Sequence, residues 1–275
     1  MKKVFYQGTK GCFSELAAVK FFGKSIKKIG VTRFEDIFKK VNSEKGTYGI
    51  IPVENSLTGS IHKNFDLLIK NNILVIGEVK LRIIHNLLVH PYSDASLKSI
   101  NEVWSHPEAL AQCNRFLSLH PKYKIVSVYD TAGAAKIANR EKRYDVGVIA
   151  GPQVANLYGF KTLKENIEDN PQNYTRFLII SREKKIYTDK NVRTMLVFGV
   201  KNEPGILFRC LSVFALRNID LTKLESRPIV GKPWEYIFYI DFKGSIEDDN
   251  CKKAVDTLRE FVDYLKFLGS YTVKE

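Results

Sequence analysis

The chain has 275 residues, of which 43 are Lys or Arg and 30 are Asp or Glu, so its formal net charge at pH 7 is +13. The basic residues are spread along the chain without a zinc-ligand spacing or a stacking module, which argues against nucleic-acid binding but is compatible with an anionic metabolite. The four cysteines form no CxxC pair and no apolar run approaches the length of a membrane span, which argues against a disulfide framework, a metal cluster and a membrane protein.

Residues 1–180 alternate short apolar runs with helical patterns, which is typical of an α/β fold with parallel strands. The predicted strands are rich in β-branched residues and are bounded by turn-forming residues. They cover residues 4–6, 49–53, 73–90 with a break, 102–104, 124–129, 146–150 and 176–181.

Hydroxyl side chains mark the predicted helix starts. Thr32 and Ser105 are each followed three residues later by a glutamate, Glu35 and Glu108, which is the pattern of a capping box. Further caps are predicted at Ser14, Ser60 and Thr131.

The chain is predicted to form two lobes followed by a linker. Residues 72–90 carry apolar side chains on both faces, and we interpret them as the passage from one lobe to the other. The first lobe would then comprise residues 1–78 together with 175–181, and the second residues 79–174. A charged run without apolar periodicity predicts the linker over residues 182–191.

A separate unit is predicted over residues 192–275. Its strands cover residues 193–201, 221–226, 234–242 and 267–273, with a turn at residues 231–233. Amphipathic helices follow the first and the third of these strands. The resulting order, βαββαβ, is that of a ferredoxin-like sandwich.

Short polar segments lie between residues 6 and 177, and nearly every one follows a predicted strand. They cover residues 8–15, 52–56, 105–107, 130–132 and 173–177. Ligands of open α/β sheets bind outside the carboxyl ends of the strands, so we expect these segments to converge on one small-molecule cleft. Ser14, Ser105 and Thr131 would place helix N-termini there, which attract carboxylates, although helix capping alone is the simpler explanation of these residues.

Nucleotide and metal binding are disfavoured. Gly8 and Gly11 match neither the dinucleotide-binding pattern GxGxxG nor a P-loop. His62, His85 and His90 have no metal-ligand spacing with an acidic or cysteine cluster. The sequence therefore predicts no metal.

Taken in order, the polar segments resemble those of the prephenate dehydratase family, and the resemblance covers essentially the whole chain. The matching segments are YQGTKGCFSE at residues 6–15, PVENSLTGS at 52–60, HPEALAQC at 106–113 and TRF at 175–177. The C-terminal unit is similar to an ACT regulatory domain through EPGILF at 203–208 and ESRP at 225–228. Cys12, Glu108 and Ile206 depart from the residues common in the family, and the last departure bears on effector affinity.

The resemblance implies a catalytic domain over residues 1–181, with the two-lobed fold of type II periplasmic-binding proteins, and a ferredoxin-like ACT domain over residues 192–275. It implies a carbon–oxygen lyase without a cofactor, which converts prephenate to phenylpyruvate with loss of carbon dioxide and the ring hydroxyl in L-phenylalanine biosynthesis. Aromatisation drives this reaction, so the enzyme mainly orients the ring, binds two carboxylates and helps hydroxide to leave.

The resemblance also implies the site residues. Thr175 would donate a hydrogen bond or a proton to the departing oxygen, and Asn55 and Gln112 would bind and orient the substrate as neutral amides. The predicted substrate-binding residues are Ser14, Glu54, Ser56, Ser105, His106, Thr131, Arg176 and Phe177. Arg176 neighbours Thr175 on a strand, where side chains alternate between faces, so a structural role is its alternative.

The ACT unit would bind phenylalanine between two copies of the chain. The residues implied for this site are Asn202, Pro204, Gly205, Ile206, Leu207, Glu225, Ser226 and Arg227. A ligand between subunits can bias a dimer between two arrangements, so a homodimer or homotetramer is predicted.

Other functions remain open at this point. The same reaction on arogenate would give phenylalanine directly, and DTAGAA at residues 130–135 also resembles the arogenate-using relatives. A solute-binding protein without catalysis has the same two lobes but needs no Thr175. A nucleic-acid-binding regulator is the third possibility, and no recognition helix or basic arm supports it.

The start of the chain bears on its location. Met1, Lys2 and Lys3 lead directly into the first predicted strand, which leaves no room for a signal peptide. A reducing cytoplasm is therefore the expected location. For the same reason we expect no fused chorismate mutase domain, so that prephenate comes from another polypeptide.

Overall fold

The computed structural model describes residues 1–94, 96–185, 187, 191–229, 231 and 235–274. Residues 186 and 188–190 of the predicted linker, and residues 232–234 around the predicted turn, lie outside this description. Contacts between residues divide the chain into two compact units. Unit 1 comprises Met1–Ile37, Gly49–Ile61 and Lys80–Phe177, and unit 2 comprises Phe38–Tyr48, His62–Val79 and Leu178–Glu275. In the described part of the chain, no helix is both long and apolar enough to cross a membrane.

Strands and helices alternate along most of the chain. The strands are β1 (Lys2–Gln7), β2 (Ile26–Val31), β3 (Thr47–Asn55), β4 (Gly59–Ser60), β5 (Leu74–Arg82), β6 (Asn86–Val89), β7 (Glu102–Ser105), β8 (Lys124–Ser127), β9 (Val146–Ala150), β10 (Lys161–Lys164), β11 (Tyr174–Ser181), β12 (Val192–Val200), β13 (Leu221–Pro228), β14 (Tyr236–Lys243) and β15 (Tyr264–Lys274). The helices are α1 (Phe13–Phe22), α2 (Phe34–Ser43), α3 (His62–Lys70), α4 (Pro107–Ala111), α5 (Asn114–Ser118), α6 (Thr131–Arg140), α7 (Pro152–Tyr158), α8 (Ile206–Ala215) and α9 (Asp249–Arg259).

Unit 1 is built on two groups of strands. In one group β11, β3, β1 and β2 are neighbours in that order, and β1 pairs in parallel with β2. The other is a five-stranded sheet in the order β10-β6-β9-β7-β8, in which β7 pairs in parallel with β8 and β9. Leu87, Val103 and Ile149 of this sheet share a buried core with Leu110 of α4. Because β1, β3, β7 and β8 all run into polar segments, their carboxyl ends supply the residues of the candidate site.

Unit 2 has the predicted ferredoxin-like order, β12-α8-β13-β14-α9-β15. Its strands lie in the order β13-β14-β12-β15-β5, and β5 pairs in parallel with β15 while the other pairs are antiparallel. Both helices contribute to one apolar core, with Phe214 from α8 and Leu258 from α9 beside Phe198 and Ile240 of the sheet. The prediction of an α/β chain with a ferredoxin-like C-terminal unit is confirmed.

Two strands of unit 1 lack the sequence pattern by which strands are predicted. β2 reads IKKIGV and buries only Ile26, and β10 reads KTLK and buries none of its residues. Both lie at the end of the strand order of their group. Lysine-rich strands are typical of sheet edges, where they prevent pairing with another chain, and such strands have no buried alternation to detect. The predicted strand 73–90 is two strands, β5 and β6, separated by residues 83–85.

The predicted helix caps are wrong at several positions. Helix α4 begins at Pro107, and its N-cap is His106, whose side chain accepts a hydrogen bond from the Glu108 N–H. The Ser105 hydroxyl instead donates to the Ile149 carbonyl, 2.6 Å away, because Ser105 is still part of β7. Proline is favoured as the first residue of a helix, which moves the cap one position after Ser105.

Three other predicted caps also do not coincide with the residue that precedes the helix. Helix α6 begins at Thr131, and its cap is Asp130, whose carboxylate accepts a hydrogen bond from the Gly133 N–H at 2.6 Å. Helix α1 is capped at Cys12, so Ser14 lies inside its first turn. Helix α2 begins at Phe34, so Thr32 is not its cap. Aspartate caps a helix as well as threonine does, so the preference for capping residues cannot choose between Asp130 and Thr131.

Candidate active site

A cavity of about 400 Å³ lies in unit 1, where the polar segments after β1, β3 and β8 meet helix α4 and strand β11. Its lining includes the predicted residues Ser14, Asn55, His106, Gln112, Thr131, Thr175 and Phe177. Phe13, Phe34, Ile61 and Ile83 supply apolar walls. An apolar cavity with a few converging polar groups is the usual form of a small-molecule site.

Asn55 lies at the end of β3 with its amide orientation fixed. Its Oδ1 accepts hydrogen bonds from the backbone N–H groups of Leu57 and Thr58, at 2.9 and 3.2 Å. A backbone N–H can only donate, so the atom that faces it must be the amide oxygen. The amide nitrogen therefore points the other way, where Nδ2 lies 3.0 Å from Thr175 Oγ1 and 2.7 Å from Asn173 Oδ1.

Thr175 lies on β11 beside Asn55. Because Asn55 Nδ2 can only donate, Thr175 Oγ1 accepts that bond and keeps its own proton for another acceptor. Among the described residues no such acceptor is found for this hydroxyl. Thr175 therefore points a hydrogen-bond donor at the cavity that it lines.

Gln112 belongs to the same group of hydrogen-bonded amides, which it joins through Asn173. Its Oε1 lies 2.8 Å from Asn173 Nδ2 and 2.9 Å from His85 Nε2. Its Nε2 lies 3.4 Å from Glu108 Oε1, a weak contact. Asn173 is fully buried, so it joins Asn55 to Gln112 without lining the cavity itself.

Two helix N-termini open on the cavity. Ser14 of α1 and Thr131 of α6 both lie in first turns, whose N–H groups have no partner within their own helix. The positive end of the helix dipole and these N–H groups favour a bound carboxylate. Asp130 fixes the start of α6, because its carboxylate also accepts hydrogen bonds from the N–H and the hydroxyl of Thr9, at 3.0 and 2.8 Å.

Four predicted residues do not line the cavity. Ser105 is buried against Ile149, as described above. Arg176 is 8% exposed and lies 3.5 Å from a carboxylate oxygen of Glu54, on the strand face opposite to that of Thr175. The Ser56 hydroxyl donates to the Gln172 carbonyl at 2.8 Å, which ties the turn after β3 to the segment before β11.

Glu108 and Asp130 place two carboxyl groups in the lining of the cavity, whereas the imidazole and the thiol beside them are neutral at pH 7. Burial lowers the pKa of His106, whose Nδ1 already accepts a backbone hydrogen bond, so its imidazole is neutral at pH 7. Burial raises the pKa of Cys12 to about 12, so this thiol is not a nucleophile at neutral pH. In the described ranges no three His, Cys, Asp or Glu residues are grouped so as to hold a metal ion.

A wider groove of about 720 Å³ in unit 1 shares Tyr129 with the cavity and is lined by Lys10, Lys28 and Lys136. It is larger than the cavity and is lined by hydroxyl-bearing residues, but its described lining includes no side-chain amide. Lys28 is paired with the buried carboxylate of Glu15 at 2.6 Å. We therefore assign the chemistry to the smaller cavity, and the lysines supply a field that attracts anions.

A second cavity, of about 200 Å³, lies in unit 2. Of the residues predicted to bind phenylalanine, Asn202, Gly205, Ile206 and Leu207 line it, whereas Pro204, Glu225, Ser226 and Arg227 do not. The Glu225 carboxylate instead lies 3.2 Å from His62 Nδ1, and Arg227 lies 2.5 Å from the Asp66 carboxylate, both on helix α3. The predicted effector residues thus fall into two groups within unit 2.

Sequence reasoning did not select three residues that hold the cavity together. Asp130 and Asn173 lie in the predicted polar segments, and His85 was noted only for its lack of metal-ligand spacing. Asp130 could have been identified as a capping residue immediately before Thr131. Asn173 could have been identified as an amide two residues before Thr175. No local signal identifies His85, because its partner Gln112 is distant in sequence.

The chain is similar to known proteins over nearly its whole length. The family model for prephenate dehydratase matches residues 4–185, and the ACT domain model matches residues 194–260. Arogenate dehydratase 2 of Petunia hybrida is 40% identical over 98% of this chain and 71% of its own length. The bifunctional chorismate mutase/prephenate dehydratase of Aquifex aeolicus is 36% identical over 98% of this chain and 73% of its own length.

The fold of the chain is also similar to that of a solved prephenate dehydratase. The prephenate dehydratase of Arthrobacter aurescens in complex with L-Phe is 28% identical, with a TM-score of 0.87 over 98% of this chain and 89% of that chain. This similarity supports the fold class that the resemblance implied. The chain therefore belongs to the prephenate dehydratase family, and its C-terminal region carries an ACT domain.

Proposed function

We propose that the chain converts prephenate to phenylpyruvate, with loss of carbon dioxide and water, and that phenylalanine regulates it through the ACT domain. The observation that carries this proposal is the fixed pair of Asn55 and Thr175. The Asn55 amide donates to the Thr175 oxygen at 3.0 Å, which leaves the Thr175 proton directed at the cavity. Membership of the prephenate dehydratase family supports the same conclusion.

Conversion of prephenate to phenylpyruvate requires little more than a hydrogen-bond donor such as Thr175. The bond between the ring and its carboxylate breaks, carbon dioxide leaves, and the electron pair enters the ring as the bond to the ring hydroxyl breaks. The departing hydroxide takes a proton from Thr175 and becomes water, and a proton from solvent returns to the threonine oxygen. A donor that is already in place when negative charge develops on the oxygen is typically worth about 10²–10³ in rate. Thr175 is this donor, strengthened by the apolar walls that limit water.

Among the described residues the cavity is lined by no Lys or Arg, and its lining includes the carboxyl groups of Glu108 and Asp130, so backbone N–H groups are the donors that we place at anionic groups of the substrate. The first turns of α1 and α6 present N–H groups at positive helix ends, and Ser14 and Thr131 lie in those turns. Gln112 adds an amide donor, and His106 and Phe177 complete the wall. Direct contact of substrate with Glu54, Ser56, Ser105 and Arg176 stays a prediction.

Turnover of both possible substrates by the purified chain tests the proposal. We expect product from prephenate, with kcat/KM at least about tenfold above that for arogenate, which corresponds to about 1.4 kcal/mol. Phenylpyruvate and phenylalanine are distinguishable products, so each reaction is followed separately. A preference for arogenate would replace the proposed substrate, and turnover of neither would reject the enzyme assignment in favour of a solute-binding protein.

Phenylalanine is proposed to bind in the cavity of unit 2. Gly205 has a φ of +77°, a left-handed conformation that favours glycine, and it allows the chain to turn into α8. The N-terminus of α8 then faces the cavity and suits the carboxylate of an amino acid. Phe238 and Leu207 supply an apolar wall for an aromatic side chain.

Replacing Ile206 by aspartate is expected to abolish phenylalanine binding, measured by calorimetry. A carboxylate at the first position of α8 is favourable for the helix dipole but loses the packing of Ile206 against the core of unit 2, so the melting temperature is measured alongside. In the folded variant this carboxylate repels the carboxylate of the ligand. Ser212→Asp, on the same helix and outside the cavity, is the matched control and should bind as the unmodified chain does. Undiminished binding by Ile206→Asp would place the effector elsewhere.

Three broader features remain proposals. We propose a catalytic domain over residues 1–181, a linker over 182–191 and an ACT domain over 192–275, supported by the ranges of the two family models. We propose a homodimer or homotetramer, supported by Phe208 and Leu216, which are 76% and 81% exposed in and next to α8. A cytoplasmic location stays a prediction from the sequence.

A further inference from the structure

His85 is a buried imidazole beside the cavity, between strands β5 and β6. It is 1% exposed, and its ring packs edge-on against Phe13 with the ring centres 5.8 Å apart. Its Nε2 lies 2.9 Å from Gln112 Oε1, and its backbone N–H donates to the Glu168 carboxylate at 3.0 Å. The function proposed above gives this residue no role.

The protonation state of His85 follows from a chain of amides whose first orientation is fixed. The backbone N–H groups of Leu57 and Thr58 identify the oxygen of the Asn55 amide, so Asn55 donates from Nδ2 to Asn173. The atom of Asn173 that receives this bond must be its oxygen, Oδ1. Its other amide atom, Nδ2, must then be the donor to Gln112.

The last two hydrogen bonds of this series join Asn173 to Gln112 and Gln112 to His85. The atom of Gln112 that accepts from Asn173 is its oxygen, Oε1, and the same oxygen lies within hydrogen-bond distance of His85 Nε2. An oxygen of an amide only accepts, so Nε2 carries the proton. Nδ1 is then unprotonated, and in the described part of the chain it has no hydrogen-bond partner. Burial lowers the pKa of this imidazole, which keeps it neutral.

We propose, building on the function proposed above, that His85 is a positioning residue that holds Gln112 so that only N–H groups of its amide face the substrate. With Oε1 occupied by both His85 and Asn173, a flip of the Gln112 amide would set its NH₂ group against two donors. The amide is thus fixed as a donor, which is the polarity that carboxylates of the substrate require. Without the bond from His85, only the bond from Asn173 holds Oε1, so the Gln112 amide turns its oxygen towards the anion more readily.

Two amide substitutions at His85 separate positioning from packing. The amide nitrogen of glutamine reaches about as far from the backbone as Nε2 of histidine, whereas that of asparagine stops near the position of Nδ1. We expect His85→Gln to retain most of kcat/KM for prephenate. His85→Asn should lose about 10- to 100-fold, because a misplaced binding group can cost up to about 100-fold. Equal loss in both variants, or no loss in His85→Asn, would overturn the proposal.

A double-mutant cycle tests the route of the effect. In a Gln112→Ala background, His85→Asn should cost less than threefold in kcat/KM, because the amide that it positions is absent. An undiminished additional loss would show that His85 acts by another route. Melting temperatures of all variants identify losses that are due to unfolding.

A second readout does not depend on activity. Nitrogen NMR of the unmodified chain distinguishes a protonated Nε2 from a protonated Nδ1, and we expect the proton of His85 on Nε2. A proton on Nδ1 would overturn the inference even in an active enzyme. Conversely, if the chain turned over neither prephenate nor arogenate, the proposed function would fail while the tautomer remained testable.

Discussion

Replacement of Thr175 by valine is expected to lower kcat for prephenate by at least about 100-fold, because it removes the only proton donor that we place at the departing oxygen. Valine has nearly the shape of threonine, so the side chain still fills its position on β11. The change also leaves one N–H of Asn55 without its acceptor. Steady-state formation of phenylpyruvate, corrected for the rate without enzyme, measures the loss.

Two controls separate chemistry from folding in this experiment. Thr175→Ser keeps a hydroxyl and should retain activity within about tenfold, a cost of at most about 1.4 kcal/mol in the barrier. Thr194→Val removes another buried hydroxyl, which donates to the Gly244 carbonyl at 2.8 Å in unit 2. It should lower the free energy of unfolding by about 1–3 kcal/mol and leave kcat unchanged. A Thr175→Val enzyme within threefold of the unmodified rate would remove Thr175 from the mechanism.

The position of the candidate site could be predicted from the sequence because it depends on chain order and strand ends. Asn55 follows an apolar strand, and Thr175 lies on a strand that begins within a polar segment. In an α/β fold such positions converge even when they are more than a hundred residues apart, and the Asn55 and Thr175 side chains lie in hydrogen-bond contact. Their catalytic roles stay predictions, which the substitutions above test.

Other features depend on contacts that no local pattern encodes. Ser105 has the spacing of a capping box, yet the strand extends through it and its hydroxyl bonds to Ile149 of the neighbouring strand β9. The lysine-rich strands β2 and β10 have no buried alternation because they lie at edges. His85 has a defined tautomer only because four side chains, from different parts of unit 1, form one ordered series of donors and acceptors.

The same series predicts the effect of a second substitution, Asn55→Asp, which we expect to lower kcat by about 10²–10³-fold. One oxygen of the introduced carboxylate still accepts from the N–H groups of Leu57 and Thr58. The other carboxylate oxygen takes the position of Nδ2, so a hydrogen-bond acceptor replaces a donor there. Thr175 then donates its proton to this carboxylate instead of the departing oxygen, and the added negative charge also opposes binding of an anionic substrate, so KM rises.

Reorganisation of the neighbouring amides does not relieve this loss. Asn173 and Gln112 could both flip, and His85 could move its proton to Nδ1, which would restore every other hydrogen bond in the series. The Thr175 proton would still be held by the carboxylate. Asn173→Asp is the informative comparison, because it also sets an acceptor against Gln112 Oε1 and so turns that amide, but it keeps an acceptor for Asn55 and leaves the Thr175 proton available. We therefore expect kcat to fall clearly less in Asn173→Asp than in Asn55→Asp, and the opposite order would contradict the assignment of Thr175 as the donor.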